Sequence, residues 1–524
     1  PKDDVFIGDT TADRQNASNL IDVCESWISQ QPRKRITLAF FQLHCLMLLA
    51  KRVNCVKLKQ DWVTSGDLLR LSLASGMHRD PALLGDGRIS DFDKEMKKRL
   101  WITVMELELQ SSVESGLQSG LTALYFDTPA PSNIPDDAFT KEVQQMPTNH
   151  SSEHFTSTSY LVASLKSLPL RIHLTQLLNT PTSDLQYSDV LHYDAQIHAA
   201  VSSLPHWDDD RAAIPSALLQ LQLRQYLLIL HKPYAKLAST NDRFMYSFTT
   251  CVDACNSMIT THDTLISKSI LFLSNFRNDV VRVGLTLSQV VYENCTRHAV
   301  KSSLPMPTHE THFAADPGSH FADSMKQRWG PQDATVYLAS IPKESFLVKT
   351  LCSSSIELLE HTRQLFEQKV FRLGTGYMEY WLMAVAVGML PPPPSPATSI
   401  AYINNANDDI LSRCRKTLDC FTQLAFRVLA LQRDPENSLA SSLRNTMASV
   451  SPRESRVGTP GMMLGVSPMM QSSGFTPMNG GAGGMGGEKG PVAGGPFDAL
   501  QDLGADMSGW SFPDFWAFDL GGDF

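Results

Sequence analysis

Several stretches combine residue types that could do chemistry. His150-Ser151-Ser152-Glu153-His154 has the spacing His-x-x-Glu-His. On a rigid helix that spacing presents two imidazoles to zinc, with the glutamate as base toward a metal-bound water. Here Pro147, Thr148 and Asn149 precede it and a Ser/Thr run follows, so a solvated loop is expected instead. His78-Arg79-Asp80 has the order of a kinase catalytic loop, but Gly85 stands where that chemistry needs Asn, no Asp-Phe-Gly follows, and Pro81 stiffens the segment. The plainer reading is that Arg79 and Asp80 tie a helix end to its neighbour. Gly481-x-Gly483-x-x-Gly486 is formally a dinucleotide fingerprint without a strand before it or a helix after it. Cys251 and Cys255 would lie one helical turn apart, but no second pair completes four zinc ligands, so they read as core cysteines. No catalytic, cofactor-binding or metal-ligating residue is assigned in this chain, and it is not read as an enzyme.

The C-terminal segment 497–524 is more informative. It carries Asp498, Asp502, Asp506, Asp514, Asp519 and Asp523 with no Lys or Arg, interleaved with Trp510, Phe512, Phe515, Trp516 and Phe518. Repelling carboxylates keep such rings hydrated and available to a partner groove. These five aromatics are the candidate contacts to such a groove, which the family resemblance given below would make a coactivator's. Phe515 and Phe518 would share a face of a helix formed on binding, with Pro513 confining or starting it. The basic runs Arg33-Lys34-Arg35 and Lys97-Lys98-Arg99 could act as import signals or DNA contacts, yet read more simply as solvated faces.

Positioning falls to the stretch 61–137. Thr64 with Asp67, and Ser90 with Asp93, look like helix starts. Leu69, Leu73 and Met77 would share one face of the first helix, with Leu68 and Leu71 beside it. Gly76 near its end offers a cheap left-handed residue, and Pro81 forbids continuation. Met96, Leu100, Val104 and Leu107 form the stripe of the second helix, with Lys97, Lys98 and Arg99 mainly outside it. Trp101, next to Leu100, is expected in the core. Thr128 to Pro135 is too proline-rich for helix or central strand and should be extended.

These blocks, in order, carry a resemblance: Gly76-x-His78-Arg79-Asp80-Pro81, then Ile89-Ser90-x-Phe92-x-x-Glu95-Met96 with three basic residues to Arg99, then Leu100-Trp101, then Asp127-Thr128-Pro129-x-Pro131-x-Asn133-Ile134. The stretch resembles the middle homology region, or fungal-specific transcription factor domain, of fungal zinc-cluster transcription factors. Its signature residues here are Gly76, His78, Arg79, Asp80, Pro81, Glu95, Met96, Arg99, Leu100, Trp101, Asp127, Pro129 and Asn133. Ile102 and Ser115 depart mildly from the family pattern. The run Gln222-x-x-Gln225-Tyr226 to His231-Lys232-Pro233-Tyr234 is similar to a later family segment, so the resemblance covers roughly residues 20–390.

The whole chain sets further bounds. Its 524 residues exceed one typical core. A formal charge of −9 argues against the bulk of it wrapping nucleic acid. Nine scattered cysteines suit a reducing compartment, with thiols as small core hydrophobes. The longest apolar run, Tyr380 to Leu390, is too short to span a bilayer and ends at four prolines. Helical periodicity recurs at Ile36–Leu58 (Phe40, Leu43, Met47 and Ala50 on one side), Leu161–Leu178 interrupted by Pro169, Leu185–Leu204, Ala217–Leu230, Phe244–Leu265, Ile270–His298, Phe346–Phe371 and Tyr377–Met389. It returns at Ile410–Leu431, on Leu411, Cys414, Leu418, Phe421 and Leu424/Ala425. The expected fold class is all-α. A loose segment 1–19 precedes a multi-helix regulatory domain 20–440, followed by a Gly/Met/Ser/Pro linker 451–496 read as disordered and the acidic-aromatic tail 497–524.

The resemblance implies a nuclear regulator of RNA polymerase II transcription whose zinc-cluster DNA reader lies upstream of Pro1, since no Cys-x-x-Cys-x₆-Cys run occurs here. Zinc is expected there and no cofactor in this chain. Implied partners are DNA through that missing domain, a coactivator or the general transcription machinery, and a second copy in a homodimer; no membrane is implied. In that family the middle region is thought to restrain the factor or answer a signal, and a helical bundle could admit a small apolar effector. The alternatives are a regulator acting through another DNA-bound factor and, further off, a metal-dependent hydrolase on His150 and His154.

Overall fold

A computed structural model describes residues 11–31, 36–54, 56–84, 89–141, 146–181, 185–271, 277–296, 346–373, 376–390 and 406–431. The described helices all belong to the unit Pro1–Ala440. Among the described residues there are twelve α-helices and no strand: α1 Thr11–Gln30, α2 Leu38–Val53, α3 Asp61–Ala74, α4 Asp91–Ser115, α5 Ser159–Leu178, α6 Tyr187–Ser202, α7 Ala213–Ala235, α8 Met245–Ser267, α9 Asp279–Val291, α10 Phe346–Leu373, α11 Tyr377–Met389 and α12 Ala406–Leu431. The all-α expectation holds. The linker and the tail with Trp510, Phe512, Phe515, Trp516 and Phe518 lie outside the described residues, as do Arg33-Lys34-Arg35 and the glycines 481–486.

Two apolar cores organise the helices. The first packs Ile21 and Ile28 of α1, Phe41 and Leu48 of α2, and Leu68 and Leu69 of α3 against α4 through Trp101, Ile102 and Met105. The second gathers α5 to α12 around Leu221, Tyr226 and Leu228 of α7, and takes Val113 from the end of α4. Helix α4 therefore serves both, and it is buried nearly all round rather than along one stripe. Ser90 caps its start by accepting from Asp93 N, and Gly116 at φ 63 ends it in the left-handed region.

Local expectations fail where packing or backbone chemistry overrides the pattern. Helix α3 starts at Asp61, not Thr64; Thr64 Oγ1 donates to Gln60 O inside the first turn. Helix α1 begins at Thr11, inside the segment read as loose. Helix α2 runs Leu38–Val53, shorter than predicted, because Thr37 caps its start and the Asn54 N–H closes on Ala50 O. Its Leu43 is exposed. Pro169 does not interrupt α5; it sits on the exposed side of a continuous helix. Helix α9 is far shorter than the predicted Ile270–His298 helix and passes into a wide π turn at Tyr292–Thr296. The stripe assigned to α12 holds only at its C-terminal end: Leu424 is buried and Phe421 packs on the second core, whereas Leu411, Cys414 and Leu418 are exposed and Thr417 is buried in their place. Arg99, read as a solvated basic residue, is buried and ion-paired.

Candidate functional site

The signature residues fold into one brace around the start of α4. Beyond α3, Gly76 takes φ 70 and turns the chain into His78. His78 O then accepts from Asp127 N at 3.0 Å, and Met77 O accepts from Thr128 Oγ1 at 2.7 Å. Asp127 closes the turn by accepting from Asp80 N at 2.7 Å and from Arg79 Nε at 3.1 Å. Those donors, the Asp80 backbone N–H first, hold its carboxyl below the usual range. Arg79 and Asp80 thus tie a helix end to the extended segment. Inside the brace Trp101 is fully buried, edge-on to Phe126 at 6.1 Å and near the His78 ring at 6.2 Å.

The charged signature residues fasten the proline-rich segment. Glu95 Oε1 accepts from Ser132 N at 2.8 Å and from Arg99 Nε at 3.3 Å. Arg99 Nη1 reaches Asp136 Oδ1 at 2.7 Å, and its guanidinium lies 5.0 Å above the Phe139 ring. Phe139 in turn stacks on Phe92 at 4.9 Å. Met96 is half-buried, Leu100 and Pro81 are buried, and Pro129 is exposed.

Asn133 is the hub of the loop that follows. Its Nδ2 donates to Ser151 O at 2.8 Å and His154 O at 2.9 Å. Its Oδ1 accepts from Thr156 Oγ1 at 2.6 Å and Ser159 Oγ at 2.8 Å. His150 N donates to Asn133 O at 3.0 Å, and Trp207 Nε1 donates to Ser152 O at 3.0 Å. So His150 to His154 form exposed turns strapped over Asn133, not the helix that zinc hydrolysis needs. Among the described residues no group of three His, Cys, Asp or Glu could hold a metal ion. A recess beside Asn133, Lys166 and Trp207 offers about 10 Å³, room for about one water.

Sequence reading missed two buried polar arrays. One joins α4, α5, α7 and the approach to α9. Arg171 grips Glu106 with two bonds of 2.8 and 2.6 Å, and Gln110 and Gln225 exchange amide bonds at 3.3 and 3.4 Å. Arg277, ion-paired to Asp279, also reaches Gln225 Oε1 at 3.4 Å. Tyr226 bonds Thr175 at 2.7 Å, and burial pushes its phenol up to about 12. The other array sets Asp194 of α6, His231 of α7 and Ser247 of α8 in line, with His231 3.0 Å from both partners. Carboxylate, imidazole and hydroxyl are the parts of a nucleophilic triad. All three are buried, so no substrate reaches Ser247 Oγ, and the array locks three helices together. Tyr246 OH adds a 2.7 Å bond to Asp194. Burial pushes the Asp194 carboxyl upward, but the bonds from His231 and Tyr246 outweigh it and hold it below the usual range. The one signal was the Gln222 to Tyr234 run, whose polar residues punctuate an apolar helix.

Cys251 and Cys255 are free and buried, as core cysteines should be, and burial drives the Cys251 thiol up to about 12. No described helix is long and apolar enough to cross a membrane.

Residues 37–210 match the family described as the fungal specific transcription factor domain. Over 266 residues the chain is 29% identical to transcription factor opdR of Penicillium oxalicum, covering 47% of this chain and 33% of that protein. Over 237 residues it is 27% identical to the Zn(2)-C6 fungal-type transcription factor mpsB of Macrophomina phaseolina, covering 43% and 31%. It is 25% identical over 222 residues to the aspyridones cluster regulator apdR of Emericella nidulans, covering 40% and 30%. The chain spans about a third of the length of these relatives. No solved structure matches.

Proposed function

We infer, from a chain that carries the fungal specific transcription factor domain over residues 37–210, that the whole protein regulates transcription in the nucleus. The observation that carries this reading is the overlap of that match with the brace: Gly76 to Asn133 all lie within the matched residues and build one hydrogen-bonded unit. The sequence-specific DNA contacts belong to a zinc-cluster segment outside these 524 residues. The helical unit supplies scaffold and regulation, and the acidic-aromatic tail supplies activation. Relatives named as the aspyridones cluster regulator and the pyrrolocin cluster transcription factor support a role as a cluster regulator. The buried Asp194-His231-Ser247 array and the exposed His150 and His154 favour a non-enzymatic protein.

Activation rests on Trp510, Phe512, Phe515, Trp516 and Phe518 docking in a coactivator groove, with the aspartates aiding exposure and encounter. Residues 497–524 fused to an unrelated DNA-binding domain should drive a reporter. Ala at Phe515, Trp516 and Phe518 should abolish output, while Asn at Asp514 and Asp519 should lower it less. An inert fusion, or a fully active aromatic triple variant, would sink the assignment of activation to the tail.

A further inference from the structure

Helix α4 buries a carboxylate that belongs neither to the brace nor to the two polar arrays. Glu108 is 2% exposed and meets the turn that leaves the end of the helix. Every donor it holds is neutral. Ser119 Oγ donates to Oε2 at 2.6 Å, while Gly120 N and Ser112 Oγ donate to Oε1 at 2.7 and 3.4 Å. The turn comes so close that a Cβ on Gly120 would stand 3.0 Å from Leu69 Cδ2 and 3.5 Å from Glu108 Oε1. Charges on the elements packed around it are engaged with others. Arg70 of α3 acts on Glu108 from a distance but bonds Asp67. Lys51 and Arg52 of α2 hold Glu25 and Asp61, and His44 of α2 faces Lys51 and Asp67. Arg171 of α5 holds Glu106, and Glu114, further along α4, feels Arg52 and Arg277. From Ser115 to Phe126 the chain has no Lys, Arg, Asp or Glu.

We propose that Glu108 is a proton-operated latch, which holds the turn 117–121 firmly against α3 and α4 when it carries a proton and less firmly when it does not. A buried carboxylate met only by neutral donors is costly to ionise. The acid form fits the same geometry. Oε2–H donates to Ser119 Oγ, which keeps a lone pair for Leu121 N at 3.1 Å, and Oε1 still accepts from Gly120 N. The proton comes from solvent. Burial, the largest influence, holds the carboxyl above its usual range, against the bonds from Ser119, Gly120 and Ser112 and the pull of Arg70. The latched turn has consequences further along. Trp62 Nε1 donates to Gln118 O at 3.2 Å and Asn179 Nδ2 to Leu117 O at 2.7 Å, so the turn ties α3 to α5. Leu121 enters the first core, and the chain runs on to Phe126 beneath Trp101. The proton therefore acts on the path from the end of α4 into the brace.

The sign follows from the raised carboxyl. Its contribution to stability is complete below the unfolded value of about 4.3 and is lost as pH rises through the folded one. The test compares the full 524-residue chain with Glu108→Gln from about pH 5 to about pH 8. Glutamine keeps the Oε1 acceptor and donates from Nε2 to Ser119 Oγ, so it imitates the latched form at every pH. Its melting temperature should climb relative to the parent's as pH rises and level off once the parent's Glu108 is ionised. In the parent, amide exchange at Gly120 and Leu121, corrected for base catalysis, should quicken by about tenfold for each unit by which the carboxyl is raised. It should stay flat in the variant. If Glu108→Gln fails to fold, Ser119→Ala serves: losing a bond that favours the charged form should move the parent's transition to higher pH. A melting difference between parent and Glu108→Gln that ignores pH or shrinks as pH rises would overturn the latch. So would exchange at Gly120 that ignores pH, or a Ser119→Ala transition that stays in place or moves down.

Discussion

Replacing Asn133 by Leu tests whether the brace is held by this one amide. The change keeps the side chain's size and removes four hydrogen bonds: two to the carbonyls of Ser151 and His154, and two from Thr156 and Ser159. Each such bond contributes roughly 0.5–1.5 kcal/mol net. Thr156 and Ser159 keep other partners, since Thr156 Oγ1 also contacts Thr158 and Ser159 Oγ accepts from Thr156 N. The expected loss is therefore about 3 kcal/mol, below the simple sum. Asn133→Asp sharpens the test, because it keeps both acceptor contacts but aims a buried carboxylate at two carbonyl oxygens. That environment raises the new acid's pKa in the folded state. Its destabilisation should be smallest below the unfolded value of about 3.9, where the protonated acid still donates to one carbonyl, and grow as pH rises through the folded one. Urea unfolding at several pH values measures both variants, and amide hydrogen exchange over residues 150–158 locates the loss. A Leu variant within about 1 kcal/mol of the parent, with unchanged exchange there, would refute the hub.

Other outcomes follow from the same packing. Trp101→Ala should cost about 3–5 kcal/mol in chemical denaturation, because the ring is fully buried between Phe126 and His78. Gly284→Ala should cost about 1–3 kcal/mol, since a Cβ there runs into Met383 Sδ in a buried contact between α9 and α11. Asp194, whose carboxyl is held below its usual range, contributes stability present above the unfolded pKa and lost as pH falls through the folded one. Asp194→Asn should therefore be less stable near neutrality and show a flatter acid limb in melts from pH 7 downward.

The class of fold was legible because helical periodicity survives wherever one face is wet. The signature was legible because its residues have special backbone or charge demands: Gly76 at positive φ, Ser90 as a cap, Asp127 receiving a turn. What periodicity hid is the phase of surface helices. In α12 the expected stripe drifts off the contact: Leu424 and Phe421 are taken inward with Thr417, while Leu411 and Leu418 stay out. Arg99 read as solvated because its partners Glu95 and Asp136 lie a turn and a loop away. Of the Asp194-His231-Ser247 array only His231 was hinted at, in the polar punctuation of α7, because its members come from three helices and meet only in the folded bundle. His-x-x-Glu-His matched a pattern whose chemistry needs a helix that this loop does not form.

The placement of α4 has a consequence for where the molecule can be cut. The match to the family domain ends at residue 210, three residues before α7 begins. Yet Val113, Leu174, Tyr187, Val190 and Ile197, all inside the match, bury themselves against α7 and the helices after it. The segment that the family match covers is thus shorter than the portion that can stand in water. A piece ending near 210 would carry an open apolar flank along α4, α5 and α6, and would be prone to clump rather than to work. The domain match marks a segment, whereas folding marks a larger body, and shuffling, grafting or truncation has to respect the second boundary.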